Sequence, residues 1–434
     1  MVDETRFQVI PITPKENVIL MDHTLNPLTK IDSQEKIFDL MNKSLPILIG
    51  AFIFFRPIQH VTALEEISFY SAVAITVFLV LLRKMEFSFK SPLTFPFVAF
   101  AAWALLGIFF AINRENSLHD FYAHLLKYLA FFYIVVNVFN TEKRFQLLSW
   151  IIVLSAGALS YGGIAYVYGI QGYSFSERFV NPAYFPYREF IYVFATLAAF
   201  NIIFGGKSLF QRIILLLCLV GTIGATLLTQ NRGALIALSI SILILFINKR
   251  RDLVALVALI VVSILLLSPF SSRFKDVSVD KNYRIGTQLL YVEVIKDHPI
   301  IGIGFGMQTY TDKRLLLEKY NSRVSDTYRQ NFIVATPHNT ILDIATRVGI
   351  VGLALYFWII AAFLRMNYQM IRHGKNHFIK EWGLCLFAAF IAFFIQAVFH
   401  DATYGVQVIV QYLIFAMGTI LWRLNMQKEL SSNG

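Results

Sequence analysis

Charged residues are scarce in this chain. Aspartate, glutamate, lysine and arginine together make up 15% of its 434 residues, whereas hydrophobic residues make up 57%. Soluble globular proteins carry a charged fraction of about 25%. The shortage of charge therefore excludes a soluble enzyme built around one buried core, and the apolar excess predicts a protein that crosses a membrane several times.

Cysteine is almost absent, since the sequence contains only Cys218 and Cys385. Both lie inside apolar runs, so we expect neither a disulfide framework nor a cysteine metal site. An apolar segment is missing from residues 1–36, which mix charges with prolines. We therefore expect no cleavable signal there and predict a solvated cytoplasmic N-terminal tail.

Long apolar runs, in contrast, recur along the rest of the chain. They are too long and too uniformly apolar for the alternating strands of a barrel, so they predict membrane-spanning helices. We predict about 12 such helices, at residues 37–55, 64–82, 92–112, 121–139, 146–168, 187–204, 209–228, 233–248, 252–268, 348–365, 381–399 and 404–422. The expected fold is an all-α polytopic membrane protein.

The distribution of lysine predicts the orientation of these helices. Loops after the even-numbered spans are rich in lysine and arginine, whereas the alternate short loops contain no lysine. Positive charge is retained on the cytoplasmic side, so both termini should be cytoplasmic. We therefore expect nine spans within residues 37–268, a helical periplasmic loop at 269–337, three spans within 338–422 and a cytoplasmic tail at 423–434, all in a bacterial inner membrane.

Several arginines lie on the predicted outer side, where the positive-inside rule disfavours them, and four of these are in recognisable settings: Arg178, Arg232, Arg284 and Arg347. A guanidinium group binds anions through two parallel hydrogen bonds, so we interpret these arginines as candidate anion ligands. Arg232 also stands at a predicted helix start, where the helix dipole favours an anion. The alternatives are snorkelling at the interface and ion pairing with a nearby carboxylate such as Glu189 or Asp343.

The stretch from Pro337 to Gly352, PHNTILDIATRVGIVG, brings polar groups to the start of a membrane helix. His338 follows the proline, where an imidazole reaches both water and the membrane interior. Two interpretations remain open from the residues alone, a general base and a helix-capping histidine. On the same predicted face, Asp401 is a candidate partner for an imidazole or a helix cap, and we expect His400 to be a bystander.

The long loop contains two further patterns. The segment LLYVEVIKDHPIIGIGFG predicts an amphipathic helix followed by a tight glycine turn at the membrane surface. The turn lacks the strand, lysine and hydroxyl of a phosphate-binding loop. Residues 312–329 predict a mixed-charge helix above the site, either a lid or a simple solvated helix.

These segments together resemble those of one known family. His338 and Asn339, nine intervening residues and then Gly349-Ile350-Val351-Gly352 resemble the HN-x9-GxxG signature of the O-antigen ligase and polymerase superfamily of bacterial membrane glycosyltransferases. The segments QNRGALIAL, ERFVNP and Tyr283-Arg284 with KDHPIIGIGFG resemble three other motifs of that family, in the expected order. The match runs from about Arg178 to Gly352.

The resemblance implies a GT-C-like fold and transfer of a glycan from undecaprenyl diphosphate to an acceptor hydroxyl of lipid A-core or another glycolipid, with inversion and without metal or cofactor. His338 would be the base that takes the hydroxyl proton. Arg232, Arg284 and Arg178 would bind the diphosphate. The supporting residues would be Asn339, Arg347, Gly349, Gly352 and Asp401.

Two alternatives remain beside this ligase. An O-antigen or exopolysaccharide polymerase would use the same donor and a second lipid-linked glycan as acceptor. A transporter of lipid-linked glycan would show polar residues through the depth of several spans and an inverted repeat. The predicted spans are nearly free of charge, which favours the enzymes. Membrane lipids are the other expected partners, and a nucleic acid is not.

Overall fold

The computed structural model describes residues 27–58, 60–179, 189–203, 208–246, 277–307, 309, 318–329, 336–400, 402 and 407–433. Within these ranges the chain is helical and contains no β-strand. The helices are α1 (Pro27–Phe55), α2 (Thr62–Leu81), α3 (Thr94–Ile108), α4 (Arg114–Asp120), α5 (Lys127–Val138), α6 (Glu142–Ile164), α7 (Glu189–Ile203), α8 (Leu209–Leu228), α9 (Arg232–Phe246), α10 (Val277–Asp297), α11 (Thr340–His373), α12 (His377–Ala397) and α13 (Val408–Asn433). A π-helical turn joins α4 to α5, and another extends α6 to Ile170. The all-α prediction is confirmed.

The predicted spans correspond well to these helices. Each coincides with a helix except 252–268, which lies outside the described residues. In the described part of the chain, eight helical stretches are long and apolar enough to cross a membrane, and α3, α7 and α9 are shorter apolar helices. The chain is therefore a multi-pass helical membrane protein. That the three short helices and residues 252–268 complete a set of about 12 spans stays a prediction.

At the two ends of the described chain, the first and the last helix extend beyond the predicted spans. α1 begins at Pro27 and not at residue 37, and α13 continues to Asn433 through the predicted C-terminal tail. The chain divides into two compact units, residues 1–43 and 44–434. Of the first unit, the structure describes residues 27–43, which are helical.

α11 is broken at Gly349, close to the start of the helix. The backbone there has φ +69° and ψ −176°, a conformation that glycine alone adopts readily. The sequence suggested that residues 347–352 would lie on the first turns of one regular helix, and this is corrected: α11 already begins at Thr340, and a short first segment ends at the break. The break frees backbone groups of α11 that must find other partners.

A loop formed by residues 299–307, which we call the glycine loop, supplies those partners. The backbone N–H groups of Ile303 and Gly304 donate to the carbonyls of Thr346 and Arg347, at 2.9 and 3.0 Å. On the other side of the break, Ile350 N–H donates to the Pro299 carbonyl at 2.8 Å.

The glycine loop and α11 lie so close together that neither has room for a side chain at the contact. A Cβ atom added to Gly302 would lie 2.5 Å from the Arg347 carbonyl, and one on Gly349 would overlap the Ile300 carbonyl. Gly352 is equally confined, because its missing Cβ leaves space for the side chain of Val348. One close backbone contact therefore explains Gly302 and Gly349, and the packing of Val348 explains Gly352.

The glycine loop is also fixed from the side of α4. Asp120 accepts a hydrogen bond from the Met307 N–H at 2.8 Å, and Ser117 Oγ accepts one from the Gly306 N–H at 3.2 Å. The Ile112 N–H donates to the Ile303 carbonyl at 3.0 Å. The prediction of a glycine turn is confirmed, and the turn packs between α4 and α11. Its position at the membrane surface stays a prediction.

The described residues of the long loop have a small core of their own, which joins α10 to the glycine loop. Its buried side chains are Leu290, Tyr291, Val294, Ile303, Tyr320 and Val324. Residues 321–323 and 326–328 form single 3₁₀ turns. The prediction of a continuous helix at 312–329 is therefore wrong for residues 321–329, and residues 312–317 lie outside the described part of the chain.

Candidate active site

His338 stands immediately before α11, with a backbone φ of +49° that is uncommon for a residue with a side chain. Its Nδ1 lies 3.4 Å from Thr336 Oγ1, and the residue is half-buried. An imidazole in this position is partly solvated and lies at a helix start. The arrangement fits a group that exchanges a proton with a molecule entering from solution.

Asn339, and not His338, caps α11. Its side-chain oxygen accepts the backbone N–H groups of Ile341 and Leu342, at 2.9 and 3.2 Å. A side chain in this position satisfies donors that would otherwise lack a partner in the first helical turn. The capping function that we considered for His338 therefore belongs to its neighbour.

Arg178 fixes the turn that precedes Arg232. Its Nε donates to the Thr229 carbonyl at 2.7 Å, and the next residue, Phe179, donates its N–H to the Leu228 carbonyl at 2.8 Å. These bonds hold residues 178–179 against the end of α8. Two of the arginine-bearing segments predicted from the sequence therefore lie side by side.

Arg232 is the first residue of α9, and it is exposed. The first N–H groups of α9 carry a partial positive charge at this end of the helix. An anion approaching this end of the helix would meet both charges. The location agrees with the prediction of an anion ligand at a helix start.

Asn231 precedes Arg232 and lies at the centre of a group of polar side chains. Its Nδ2 is 2.6 Å from Glu189 Oε1 and 2.8 Å from His400 Nε2. Its Oδ1 accepts the Ala234 N–H at 3.3 Å. Asn231 and Glu189 are both buried. One amide therefore connects the starts of α7 and α9 with the end of α12.

Thr340 extends the connection to α11. Its Oγ1 donates to the His400 carbonyl at 2.9 Å and accepts the Ala402 N–H at 2.7 Å. Thr340 follows His338 by two positions in the sequence, and Asn231 immediately precedes Arg232. His400 thus contacts both candidate segments, one through its ring and one through its backbone.

Arg284 lies on α10, near its N-terminal end, and its side chain is exposed. α10 packs against α11, and the glycine loop that follows α10 binds the break in α11. The structure therefore packs the helix that carries Arg284 against the helix that follows His338.

Arg347 lies inside the helix bundle, where only 2% of it is exposed. Its Cζ is 4.3 Å above the centre of the Phe305 ring, and its Nε is 3.7 Å from Asp343 Oδ1. The guanidinium group and several aromatic side chains line a cavity of about 40 Å³, enough space for a few water molecules. Arg347 therefore packs the glycine loop onto α11, and the ion pair with Asp343 that we considered for it is present.

Gly349 forms the break in α11, and Gly352 lies one turn after it. Asp401, the remaining candidate, lies outside the described residues. His400 was expected to be a bystander, and the structure shows instead that it contacts Asn231 and Thr340. A signal was available in the sequence, because a histidine beside an aspartate at the end of an apolar helix matched the pattern of His338 and Asn339 at the start of another.

The loop between α10 and α11 carries an exposed group of charges. Asp297 Oδ1 accepts a hydrogen bond from Arg323 Nη1 at 2.7 Å, and Oδ2 lies 3.5 Å from Lys319 Nζ. The hydrogen bond from Arg323 is the main reason why the pKa of Asp297 falls to about 2. For the neighbouring His298, partial burial is the main cause that lowers the pKa. Among the described residues, no group of three His, Cys, Asp or Glu side chains is placed to hold a metal ion.

Comparison with known proteins connects these residues to one family. A family model described as O-antigen ligase matches residues 214–357. The chain is also similar to an O-antigen ligase of Salmonella typhimurium, with 28% identity over 183 residues, which cover 38% of this chain and 43% of the relative. The alignment thus spans less than half of that relative's length. The matched residues 214–357 include Arg232, Arg284, His338 and Gly349, so the part of the chain that carries these candidate residues is similar to the O-antigen ligase family.

Proposed function

We propose that this protein transfers a glycan from undecaprenyl diphosphate to a hydroxyl group of lipid A-core, as an inverting and metal-independent glycosyltransferase of lipopolysaccharide assembly. The family supports a transferase of lipid-linked glycan in general. The donor, the acceptor, the GT-C-like architecture, the inner-membrane location with cytoplasmic termini and the periplasmic face of the site are part of the proposal.

One observation carries the proposal. A histidine and an arginine that are far apart in the sequence, His338 and Arg232, adjoin a single group of hydrogen-bonded side chains through Thr340 and Asn231. A proton acceptor and a fixed positive charge are the two groups that a transfer from a diphosphate requires. Neither the family nor the composition alone predicts that the two segments meet.

The reaction follows from these two groups. The acceptor hydroxyl attacks the anomeric carbon of the donor sugar, and neutral His338 takes its proton. A carbon–oxygen bond to the acceptor forms while the bond from that carbon to the diphosphate oxygen breaks. Attack from the face opposite the leaving group inverts the anomeric configuration.

The departing diphosphate gains negative charge and needs fixed positive charge beside it. Arg232 is exposed at the start of α9, where the helix adds a partial positive charge. Arg284 is exposed on α10. Arg178 supports Arg232 by binding the Thr229 carbonyl. We assign diphosphate binding to these three arginines, with Arg178 acting at least in part through the turn that it fixes.

The test is a reconstituted reaction of the purified protein with undecaprenyl-diphosphate-linked glycan and lipid A-core, in the presence of EDTA. Glycan on lipid A-core would support the proposed ligase. Longer glycan that remains on undecaprenyl diphosphate would indicate a polymerase instead. A folded wild-type protein that transfers glycan to neither acceptor would contradict both, and a reaction that EDTA abolishes would contradict the metal-independent mechanism.

A further inference from the structure

The hydrogen bonds around Asn231 determine how its side-chain amide is oriented. Glu189 is a carboxylate, which in its ionised form only accepts hydrogen bonds. The atom that lies 2.6 Å from Glu189 Oε1 must therefore be the NH₂ group of Asn231, and its oxygen must face the Ala234 N–H. The chemistry of the partners fixes this orientation, which coordinates alone often leave ambiguous.

The same argument determines the tautomer of His400. The NH₂ group of Asn231 has a second hydrogen, and it points to His400 Nε2 at 2.8 Å. Nε2 must accept this hydrogen, so the proton of the neutral ring is on Nδ1. His400 is thus held as a hydrogen-bond acceptor for Asn231, beside the exposed start of α9.

The backbone of His400 makes the second half of the connection. Its carbonyl accepts the hydroxyl of Thr340 at 2.9 Å, in the first turn of α11. The ring also packs edge-on against Phe190 of α7, with 6.3 Å between ring centres. His400 therefore contacts Asn231, which immediately precedes Arg232, and Thr340, the first residue of the helix that follows His338.

We propose that His400 is a positioning residue for the transfer reaction. Its Nε2 fixes Asn231 and with it the direction of Arg232, while its carbonyl fixes Thr340 and with it the start of α11 behind His338. The proposal rests on the proposed function, because it assigns the base to His338 and the diphosphate to Arg232. An error of about 1 Å in the relative position of such groups lowers the rate by up to about 100-fold.

Two substitutions of His400 separate its ring from its hydrogen-bonding atom. His400→Phe keeps an aromatic ring against Phe190 and removes the acceptor. His400→Gln removes the ring and places an amide oxygen at about the reach of Nε2. We expect kcat of His400→Phe to fall about 10-fold to 100-fold with little change in KM for the donor, and His400→Gln to restore most of the lost rate.

The opposite results would overturn the proposal. Wild-type kcat in His400→Phe would mean that the acceptor is not used. Loss of activity in both folded variants would mean that the imidazole itself is required, as in direct contact with substrate. A large rise in KM at constant kcat would indicate substrate binding and not positioning.

Thr340 provides an independent pair of variants in case a substitution of His400 prevents folding. Thr340→Ser keeps the hydroxyl that donates to the His400 carbonyl, and Thr340→Val removes it at nearly constant volume. We expect Thr340→Ser to retain the wild-type kcat and Thr340→Val to lose about tenfold, which corresponds to about one hydrogen bond. Equal rates in the two variants would contradict the proposed connection.

Hydrogen exchange distinguishes failure of this inference from failure of the proposed function, because it needs no turnover. Backbone amides in residues 232–236 should exchange faster in His400→Phe than in the wild type, and at about the wild-type rate in His400→Gln. Those in residues 340–346 should exchange faster in Thr340→Val than in Thr340→Ser. If the wild type transfers no glycan but shows this exchange pattern, the proposed function fails and the positioning contact stands. If exchange is unchanged in His400→Phe, the inference fails whatever the activity.

Discussion

Two regions around α11 are held together in different ways. At the break in α11, backbone meets backbone: the glycine loop donates to the carbonyls of Thr346 and Arg347, and no side chain fits at Gly349. Around the starts of α9 and α11, side chains make the contacts through Asn231 and Thr340, and the cation of Arg232 is exposed. The first region tolerates no added atom, whereas the second presents chemical groups to solution. Substitutions should therefore affect folding at the break and reaction rate at the start.

The largest effect is expected for His338→Ala. Loss of a general base lowers a rate by about 10²–10⁴-fold, and the substitution removes no packing at the break. Transfer should therefore fall to near background while the thermal unfolding midpoint changes little. The measurement is initial rate in the reconstituted reaction, with unfolding followed on the same preparation.

His373→Ala is the matched control, because His373 is an exposed histidine at the other end of α11. It should leave the transfer rate unchanged. A rate near wild type in His338→Ala would mean that His338 is not the base. A strongly lowered unfolding midpoint would show that the start of α11 tolerates substitution as poorly as the break does.

Gly349→Ala tests the break itself. The backbone conformation of Gly349 costs a residue with a side chain about 1–3 kcal/mol, and the added Cβ would also overlap the Ile300 carbonyl. We expect a strongly lowered unfolding midpoint and poor recovery of folded protein. Size-exclusion chromatography and thermal unfolding in detergent measure both effects.

Gly162→Ala is the control for this substitution. Gly162 lies in α6, and a Cβ added there meets no atom within 4 Å. Alanine is favoured over glycine inside a helix by about 1 kcal/mol, so this variant should be as stable as the wild type or slightly more so. If the two variants unfold at the same temperature, the docking of the glycine loop at Gly349 does not stabilise the protein.

Arg232→Lys tests whether the exposed cation acts through its shape or through its charge. Lysine keeps the charge but cannot form the two parallel hydrogen bonds of a guanidinium group. Loss of one charge-assisted hydrogen bond predicts a decrease in turnover of about tenfold. Arg284→Lys should show a decrease of the same order, measured in the same assay.

Arg114→Lys serves as the comparison, since Arg114 is an exposed arginine at the first position of α4. It should turn over like the wild type. Full activity of both Arg232→Lys and Arg284→Lys would mean that neither guanidinium group binds the diphosphate through two parallel hydrogen bonds.

The sequence predicted the helices well because apolar runs of this length have few other stable structures in a membrane. It also offered His338 and Arg232 as candidates, because their polar surroundings interrupt those runs. The break at Gly349 could not be predicted, because a glycine within an apolar run does not show from the sequence alone whether the helix is continuous or broken there. Its conformation depends on a loop that reaches it through the fold.

The contacts of His400 were missed for a related reason. Its hydrogen-bond partner Asn231 is 169 positions away in the sequence, and no local periodicity reports such a contact. Arg347 shows the converse, since an arginine on the predicted outer side is in fact buried against Phe305. Residue type and predicted side of the membrane do not distinguish a cation that binds ligand from one that packs a loop.

Asp297→Asn should have the smallest effect, because its ion pair with Arg323 belongs to neither region and is exposed. The pKa of Asp297 is lowered from 3.8 to about 2 in the folded protein. A lowered pKa adds stability at a pH above the unfolded value, and this contribution is lost as the pH falls through about 2. The difference in unfolding midpoint between wild type and Asp297→Asn should therefore be small at pH 7, decrease below about pH 4 and weaken in high salt. A large difference at pH 7 that persists in high salt would mean that this loop is fixed as rigidly as the break in α11, and would extend the backbone-held region to the outer end of α10.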